Sequence, residues 1–234
     1  MTITGVLFDF SGTLFRVEPT GSWLRTVLDR AGIRVAEEEL LHWAGRLERA
    51  GALPGGASPE AVPDHLAAAW AERDNSAGTH RAAYSGLARE AGIPWPELYE
   101  PLYDRHMEPA AWSPYPDAAE VLKTLRDRGV RTAVVSNIGW DLRPVFREHG
   151  LDALVDAYVL SYEHGVQKPD ARLFRAACEA IGAAPREVLM VGDDRRADGG
   201  AAELGCAVHL VDHLPVERRP AALRPVLDRV GTGR

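Results

Sequence analysis

The chain has little lysine, little cysteine and no long apolar run. Among its 234 residues lysine occurs only as Lys123 and Lys168, so the basic charge is almost entirely arginine. Two cysteines, Cys178 and Cys206, are too few for a disulfide framework and lack the spacing of metal ligands, so we interpret both as small buried apolar residues. No apolar run approaches the length of a membrane span, which excludes a predicted transmembrane helix.

Basic charge is also in deficit, because the formal net charge is −7. A protein that binds nucleic acid generally would usually carry a basic face, so we expect no nucleic-acid partner. The N-terminus enters a predicted strand almost at once, and we therefore expect no signal peptide. Together these features predict a soluble cytoplasmic protein without a membrane partner. The sequence leaves open whether it is a monomer or a homodimer, although an exposed apolar face of the helical segment would favour a dimer.

One short stretch, GVLFDFSGTL at residues 5–14, carries the first candidate for chemistry. Its apolar run predicts a buried strand that ends at Asp9. A strand that delivers a carboxylate into a Gly-containing turn places it at the carboxyl edge of a sheet, where open α/β folds bind ligands. Ser11 follows two residues later.

The segment from Arg16 to Ala111 has a different character. Apolar residues recur at helical spacing at 23–28 and 40–47, and further helices are predicted at 65–70, 81–91 and 96–106. No convincing strand is visible here. We therefore predict an all-helical insert.

From Pro116 onward, predicted strands and helices alternate. Strands are predicted at 130–135, 157–160, 188–191 and 207–211, and helices at 117–128, 142–149, 171–181 and 198–204. This alternation indicates βαβ units and a three-layer, Rossmann-like α/β fold with a parallel sheet. Residues 1–15 and 112–234 would form this core, and residues 16–111 a helical cap domain. After Pro215 we expect one short helix and a loosely held end.

Polar residues follow four of the predicted strand ends. They are Asp9 with Ser11, Ser136 with Asn137, Lys168, and Asp193 with Asp194 and Asp198. Right-handed crossovers place all of them at one edge of a parallel sheet. Converging carboxylates repel unless a cation lies between them, and an all-oxygen site with a substrate phosphate suits Mg²⁺. A carboxylate held there can attack phosphorus.

In order along the chain, the motifs DFSGTL, VVSN, VQKPD and VGDDRRAD resemble those of the haloacid dehalogenase superfamily. The insert after the first motif resembles its C1-type helical cap, and the core resembles the haloacid-dehalogenase-like subfamily. The resemblance implies a hydrolase with Asp9 as nucleophile and with Mg²⁺ held by Asp9, the Ser11 carbonyl and Asp193.

The resemblance also assigns supporting roles. Ser136 and Lys168 would hold the phosphate, and Asn137 beside Ser136 would either bind phosphate or hydrogen-bond the loop backbone. Asp194 and Asp198 would lie behind the metal ligands, although either acid is also favourable at a helix start. From the residues themselves, we expect Arg16 and Arg25 to lie on the surface rather than in the cleft. Trp23, Trp43 and Trp70 are expected in the core of the cap, and no histidine is expected to have a catalytic role.

Ser11 departs from the phosphatase pattern, which has a second Asp at this position. Serine neither protonates a leaving group nor activates water at neutral pH, and general acid–base catalysis is worth about 10²–10⁴-fold. The interpretation favoured here is a Mg²⁺-dependent phosphohydrolase of a small phosphorylated metabolite, either a phosphoric monoester or an acyl phosphate, weakened or specialised by Ser11. An acyl or otherwise activated phosphate would suit Ser11 best, because its leaving group needs no proton. The alternatives are a 2-haloacid dehalogenase and an inactive phosphate- or partner-binding protein.

Overall fold

Two β-sheets are present in residues 2–231, the part of the chain that this computed structural model describes. In chain order the strands are β1 (Gly5–Phe8), β2 (Phe15–Val17), β3 (Trp112–Pro114), β4 (Arg131–Ser136), β5 (Ala157–Leu160), β6 (Val188–Gly192) and β7 (Ala207–Leu210). The larger sheet has the order β5-β4-β1-β6-β7, and all its pairs are parallel. The predicted parallel sheet is confirmed.

The first strand lies at the centre of this sheet. Its last residue, Phe8, pairs with Val134 of β4 on one side and Val191 of β6 on the other. All four residues of β1 are buried, as expected for a strand covered on both faces. The residues that follow β1, β4 and β6 therefore emerge side by side at one edge of the sheet.

Ten α-helices occur in the described residues. They are α1 (Thr20–Arg30), α2 (Glu37–Arg49), α3 (Ala67–Ala71), α4 (Ala77–Glu90), α5 (Tyr99–His106), α6 (Ala118–Asp127), α7 (Arg143–Glu148), α8 (Ser161–His164), α9 (Ala171–Ala180) and α10 (Val226–Arg229). The first five lie between β2 and β3. Leu7 packs with α9 on one face of the sheet, and Phe8 packs with α6 and α7 on the other. Alternate residues of β1 thus serve two cores, which gives the three-layer α/β fold.

The second sheet is a small antiparallel ribbon made of β2 and β3, with Val17 paired to Trp112. The expectation that no strand follows Arg16 is therefore wrong at the start of the helical segment. Arg16 and Val17 continue the chain out of the core, and Trp112 and Ser113 bring it back beside them. Backbone pairing at this crossing was not visible in the sequence because each strand has only three residues.

The helix predicted at residues 198–204 is present, as a 3-10 helix. The expectation of a loosely held end is wrong for the described residues after Pro215: Leu223 and Val226 are fully buried, and Asp117 accepts hydrogen bonds from two backbone N–H groups of this segment. Val230 also bridges to Ile3, next to the start of β1. Residues 232–234 lie outside the described part of the chain. Among residues 2–231, no helix combines the length and apolar character needed to cross a bilayer.

Candidate functional site

Asp9 is fixed at the carboxyl end of β1. Its backbone N–H donates to Val191 O at 2.9 Å, which continues the β1–β6 pairing for one more residue. Its side chain is 10% exposed, so the carboxylate is nearly removed from water. The parallel pairing of β1 with both neighbours is what brings this residue to the same place as the ends of β4 and β6.

The turn after Asp9 is built around Phe10 and Gly12. The carbonyl of Phe10 accepts hydrogen bonds from the N–H groups of Leu14 and Phe15, at 3.0 and 2.9 Å. Gly12 has φ +78°, and a Cβ atom there would overlap the side chains of Asp193 and His213. Glycine is required at this position both by the backbone conformation and by the close approach of the site.

Ser11 points toward the helical segment. Its Oγ lies 3.4 Å from Gly55 O, in the loop between α2 and α3, and Arg16 Nη1 donates to the same carbonyl at 3.1 Å. Arg16 thus lines the interior of the site, and the expectation that it lies on the surface is wrong. The Ser11 hydroxyl donates to a backbone carbonyl, which is too weak a base to take its proton.

Lys168 places a buried ammonium between two carboxylates. Its Nζ lies 2.6 Å from Asp9 Oδ1 and 2.6 Å from Asp198 Oδ1. Burial alone would lower the pKa of Lys168, but the charges of Asp198 and Asp9 outweigh burial and raise it. The side chain therefore stays protonated and supplies a fixed positive charge to the site.

Asn137 holds the backbone of Lys168 from the neighbouring strand end. Its Oδ1 accepts from Lys168 N–H at 2.6 Å, and its Nδ2 donates to Lys168 O at 3.0 Å. Both polar ends of the amide are engaged in this way. Ser136, the last residue of β4, is buried and lines the same cavity as Asp9 and Lys168.

Three carboxylates converge beside Lys168. Asp9, Asp193 and Asp198 each offer an oxygen within 4.8 Å of the others. Asp198 is fully buried, and its Oδ2 accepts from Asp194 N–H at 2.9 Å while its Oδ1 contacts Lys168. Asp194 has a different position: its Oδ1 accepts from the N–H groups of Arg196 and Ala197, so its carboxylate stabilises the turn.

Electrostatics at Asp9 favour an added cation. Burial, together with the charges of Asp198 and Asp193, raises the pKa of Asp9 to about 8 even though Lys168 opposes them. One ammonium is thus too little positive charge for three carboxylates. An oxygen-only donor set with a surplus of negative charge fits a hard divalent ion such as Mg²⁺.

These residues lie at the base of a cavity of about 520 Å³. Its lining comes from the strand ends, from the 53–58 loop, and from residues in α3, α4 and the 3-10 turn between them. Four lining residues, Trp70, Arg73, Asp74 and His80, were not among the predicted site residues. A 3-10 turn at Arg73–Asn75 places two of them there, and the sequence has no periodic pattern that marks such a turn.

His213 is the other residue that sequence reasoning missed. It follows β7 in a loop and contacts both the Asp193 carboxylate and Arg16. None of the motifs includes it, because the loop after β7 is positioned only by the tertiary fold. His80 and His213 both line the cavity, and the expectation that no histidine has a catalytic role stays a prediction.

The aromatic predictions had mixed outcomes. Trp23 is fully buried and donates its indole N–H to Leu102 O at 2.9 Å, as expected for the core of the helical segment. Trp70 instead lies on the cavity, where the guanidinium of Arg73 stacks over its ring at 4.0 Å. Both cysteines are buried, as predicted.

Comparisons with known proteins agree with this architecture. A family model described as haloacid dehalogenase-like hydrolase matches residues 3–205. The chain is 29% identical over 225 residues to a ribulose-1,5-bisphosphate 5-phosphatase of Halopiger xanaduensis, covering 89% of this chain and 84% of that protein. The solved structure of the L-2-haloacid dehalogenase from Xanthobacter autotrophicus with covalently bound chloropropionic acid has a TM-score of 0.59 and 25% identity, covering 95% of this chain and 83% of that one.

Other matches are shorter. The alignment with (S)-2-haloacid dehalogenase 4A of Burkholderia cepacia is 36% identical over 95 residues, 40% of this chain and 41% of that relative. Several of the curated relatives are matched over less than half of their length. The match of the family model across the sheet and the helical segment is sufficient to place the protein: the chain belongs to the haloacid dehalogenase-like hydrolase family.

Proposed function

We propose that this protein is a Mg²⁺-dependent phosphohydrolase of a small phosphorylated metabolite, with Asp9 as the nucleophile. The observation that carries the proposal is the placement of the buried Asp9 carboxylate against Lys168 Nζ, with oxygens of Asp193 and Asp198 within 4.8 Å. A phosphatase named for a phosphorylated sugar aligns over 89% of the chain, which supports the same reaction class.

In this proposal Asp9 attacks phosphorus with one carboxylate oxygen, and the bond from phosphorus to the leaving-group oxygen breaks with its electron pair on that oxygen. The leaving-group oxygen takes a proton from solvent, because Ser11 supplies none. The oxygen of a water molecule then bonds to phosphorus, the bond from phosphorus to the Asp9 oxygen breaks, and phosphate is released with the Asp9 carboxylate restored. Lys168 holds a positive charge at the attacking carboxylate through both steps. Ser136 donates a hydrogen bond from its hydroxyl to the phosphoryl group, and Asn137 holds the loop that carries Lys168 through two hydrogen bonds to the Lys168 backbone.

Mg²⁺ would be held by the carboxylates of Asp9 and Asp193 and the carbonyl of Ser11, and when bound it would neutralise charge on the phosphoryl oxygens. Asp198 already contacts Lys168 and the Asp194 N–H, so we assign it to orienting Lys168. Asp194 stabilises the turn that presents Asp193. We assign residues 16–111 to a cap domain that covers the site, with the core formed by the rest of the chain.

The test is a screen of phosphorylated metabolites with Mg²⁺ and with a chelator, using Asp9→Asn as the site control. We expect phosphate release that needs Mg²⁺ and falls by about 10³-fold or more in Asp9→Asn. The matched control is Asp127→Asn, an exposed carboxylate remote from the cavity, which should leave the rate unchanged. Activity that survives in Asp9→Asn would not come from this site. Absence of any Mg²⁺-dependent release from the folded wild type would reject the proposal.

A second candidate function is the hydrolysis of 2-haloacids, favoured by the 36% identity to a dehalogenase. In that reaction Asp9 would attack carbon and displace halide, with no need for a metal. The carboxylates of Asp193 and Asp198 near Asp9 argue for the phosphohydrolase. They would help to hold a metal ion, whereas displacement of halide from carbon requires no metal and no additional carboxylates. Halide release from 2-chloropropionate in the presence of EDTA distinguishes the two.

A further inference from the structure

Five side chains of the helical segment form a polar wall of the cavity. The wall consists of Trp70, Arg73, Asp74, His80 and Tyr84, all of which line the same cavity as Asp9. None of them takes part in the chemistry assigned to Asp9. Their arrangement bears on what kind of group this side of the cavity accepts.

Asp74 is the central residue of the wall. It is 3% exposed, and within residues 2–231 its carboxylate accepts no hydrogen bond. The nearest basic side chains are Arg73, with Nε at 3.4 Å, and the imidazole of His80, with Nε2 at 3.7 Å, both beyond good hydrogen-bond length. Burial raises the pKa of Asp74, as expected for a carboxyl that has lost water without gaining donors. A ligand that donates hydrogen bonds here would replace the lost solvation.

The wall also offers donors beside this acceptor. Arg73 Nε is buried without a hydrogen-bond partner, while its Nη1 is used by Trp70 O at 2.9 Å. His80 Nδ1 pairs with the hydroxyl of Tyr103 at 2.6 Å, so Nε2 is the ring nitrogen that remains on the Asp74 side. Donors and an acceptor therefore lie next to each other, with the ring of Trp70 alongside.

The position of Asp74 relative to the reacting groups is fixed by its main chain. Ser161 Oγ donates to Asp74 O at 2.6 Å and accepts from Ile138 N–H, two residues after Ser136. On the other side, Asp74 N–H donates to the side chain of Gln167 at 3.3 Å, the residue before Lys168. The wall is thus tied to both loops that carry the proposed phosphate-binding residues. Because none of its residues is assigned to the phosphoryl group, we assign the wall to the leaving group.

The chemistry of the wall selects among leaving groups. A second phosphate or a carboxylate would be repelled by Asp74, and a purely apolar group would leave Asp74 and Arg73 Nε without hydrogen-bond partners. A hydroxyl both donates and accepts, so adjacent hydroxyls satisfy an acid and a guanidinium together. The ring of Trp70 holds the Arg73 guanidinium in place by stacking against it.

We infer that Asp74, Arg73 and His80 form a subsite for a polyhydroxylated leaving group, so that the substrate is a phosphate ester of a polyol or sugar. This inference rests on the proposed phosphohydrolase function. It assigns specificity to the 3-10 turn at Arg73–Asn75 and the first turns of α4.

The experiment compares matched pairs of esters that differ only in hydroxyl groups: glycerol 3-phosphate with n-propyl phosphate, and ribitol 5-phosphate with n-pentyl phosphate. We expect the wild type to favour each polyol ester by about 10²-fold or more in kcat/KM, because unpaired buried groups penalise the deoxy analogue. Asp74→Asn should reduce this preference by about 10-fold or more, and Arg73→Met should reduce it in the same direction. The control Asp64→Asn, an exposed acid of the same segment, should leave it unchanged.

A preference near one in the wild type overturns the inference. So does a preference that is unchanged in Asp74→Asn, even if the variant loses thermal stability, since that result assigns Asp74 to the attachment of the helical segment only. If all four esters are inert, the phosphohydrolase proposal fails separately, and calorimetric titration with ribitol 5-phosphate and n-pentyl phosphate then decides. Tighter binding of the polyol ester that is lost in Asp74→Asn supports the subsite, and equal binding of both esters overturns it.

Discussion

Lys168 holds its Nζ 2.6 Å from Asp9 Oδ1 at a point where both side chains are largely buried. Because Asp198 accepts from the same ammonium, this one lysine balances two buried acids. The two residues lie 159 positions apart in the chain, so their contact depends on the correct assembly of the parallel sheet. The same contact therefore affects both the stability of the fold and the proposed chemistry of Asp9.

We expect Lys168→Met to lower the free energy of unfolding by about 3 kcal/mol or more in EDTA, because it leaves two buried carboxylates without their cation. Phosphate release should fall to background. Urea unfolding at neutral pH measures the first effect. The matched control is Lys123→Met, which removes the other lysine from an exposed pair with Asp127 and should change stability by less than about 0.5 kcal/mol. Equal losses in both variants would contradict the assigned role.

Ser11→Asp should increase Mg²⁺-dependent turnover of an aryl phosphate by about 10²-fold, since it restores a carboxyl for proton transfer. The new side chain would lie near Gly55 O, where the Ser11 hydroxyl lies now, and Arg16 is close enough to offset its charge. Ser11→Asn is the matched control, with the same shape and no titratable proton. A gain that also occurs in Ser11→Asn would show that the change in shape, and not the carboxyl, is responsible.

Acid should destabilise the protein partly through His106. Burial lowers the pKa of His106 from 6.5 to about 3, so below pH 6.5 the unfolded chain binds a proton that the folded protein does not. The contribution of neutral His106 to the free energy of unfolding is therefore complete above pH 6.5. It is lost as the pH falls toward 3, by up to about 1.4 kcal/mol per pH unit for this one proton.

The variant His106→Phe removes that proton-binding site, so its stability should fall less steeply than that of the wild type between pH 6.5 and 4. Urea unfolding at several pH values measures the two slopes. Burial also holds the pKa of His80 below its usual value, and His80 is present in both proteins, so a residual slope is expected. Parallel curves for the two proteins would exclude His106 as a source.

Arg219→Met should destabilise the fold by about 2–3 kcal/mol, because the buried guanidinium donates to Gly12 O and Thr13 O in the turn after Asp9 and stacks on the ring of Tyr115. Its loss leaves two buried carbonyls without donors. Urea unfolding is the measurement, and the exposed neighbour Arg218→Met is the control, expected to stay within about 0.5 kcal/mol. An equal effect of both variants would show that the contacts with the turn are not the cause.

The sequence was sufficient to predict which strand ends meet. Apolar runs ending in Asp9, Ser136 and Asp193 identify parallel strands, and right-handed crossovers bring their carboxyl ends together. The structure places these residues and Lys168 around one cavity. Their roles in catalysis remain predictions, since geometry alone does not test them.

What the sequence did not reveal came from packing between distant segments. Asp74 and His213 lie in connections whose position is set by contacts with other elements. The 3-10 form of residues 198–204 was likewise not predicted. A Cβ at Gly200 would strike Pro169, so this stretch packs closely on the Lys168 loop.

The ribbon of β2 and β3 has a consequence for how the architecture is assembled. Because Val17 and Trp112 are paired neighbours, the chain leaves the sheet domain and re-enters it at one point. All the intervening helices are, in topological terms, the loop of a single hairpin. The path of the remaining chain is continuous without them, so we expect that the helical segment can be exchanged as a unit while the elements that carry Asp9 and Lys168 keep their order.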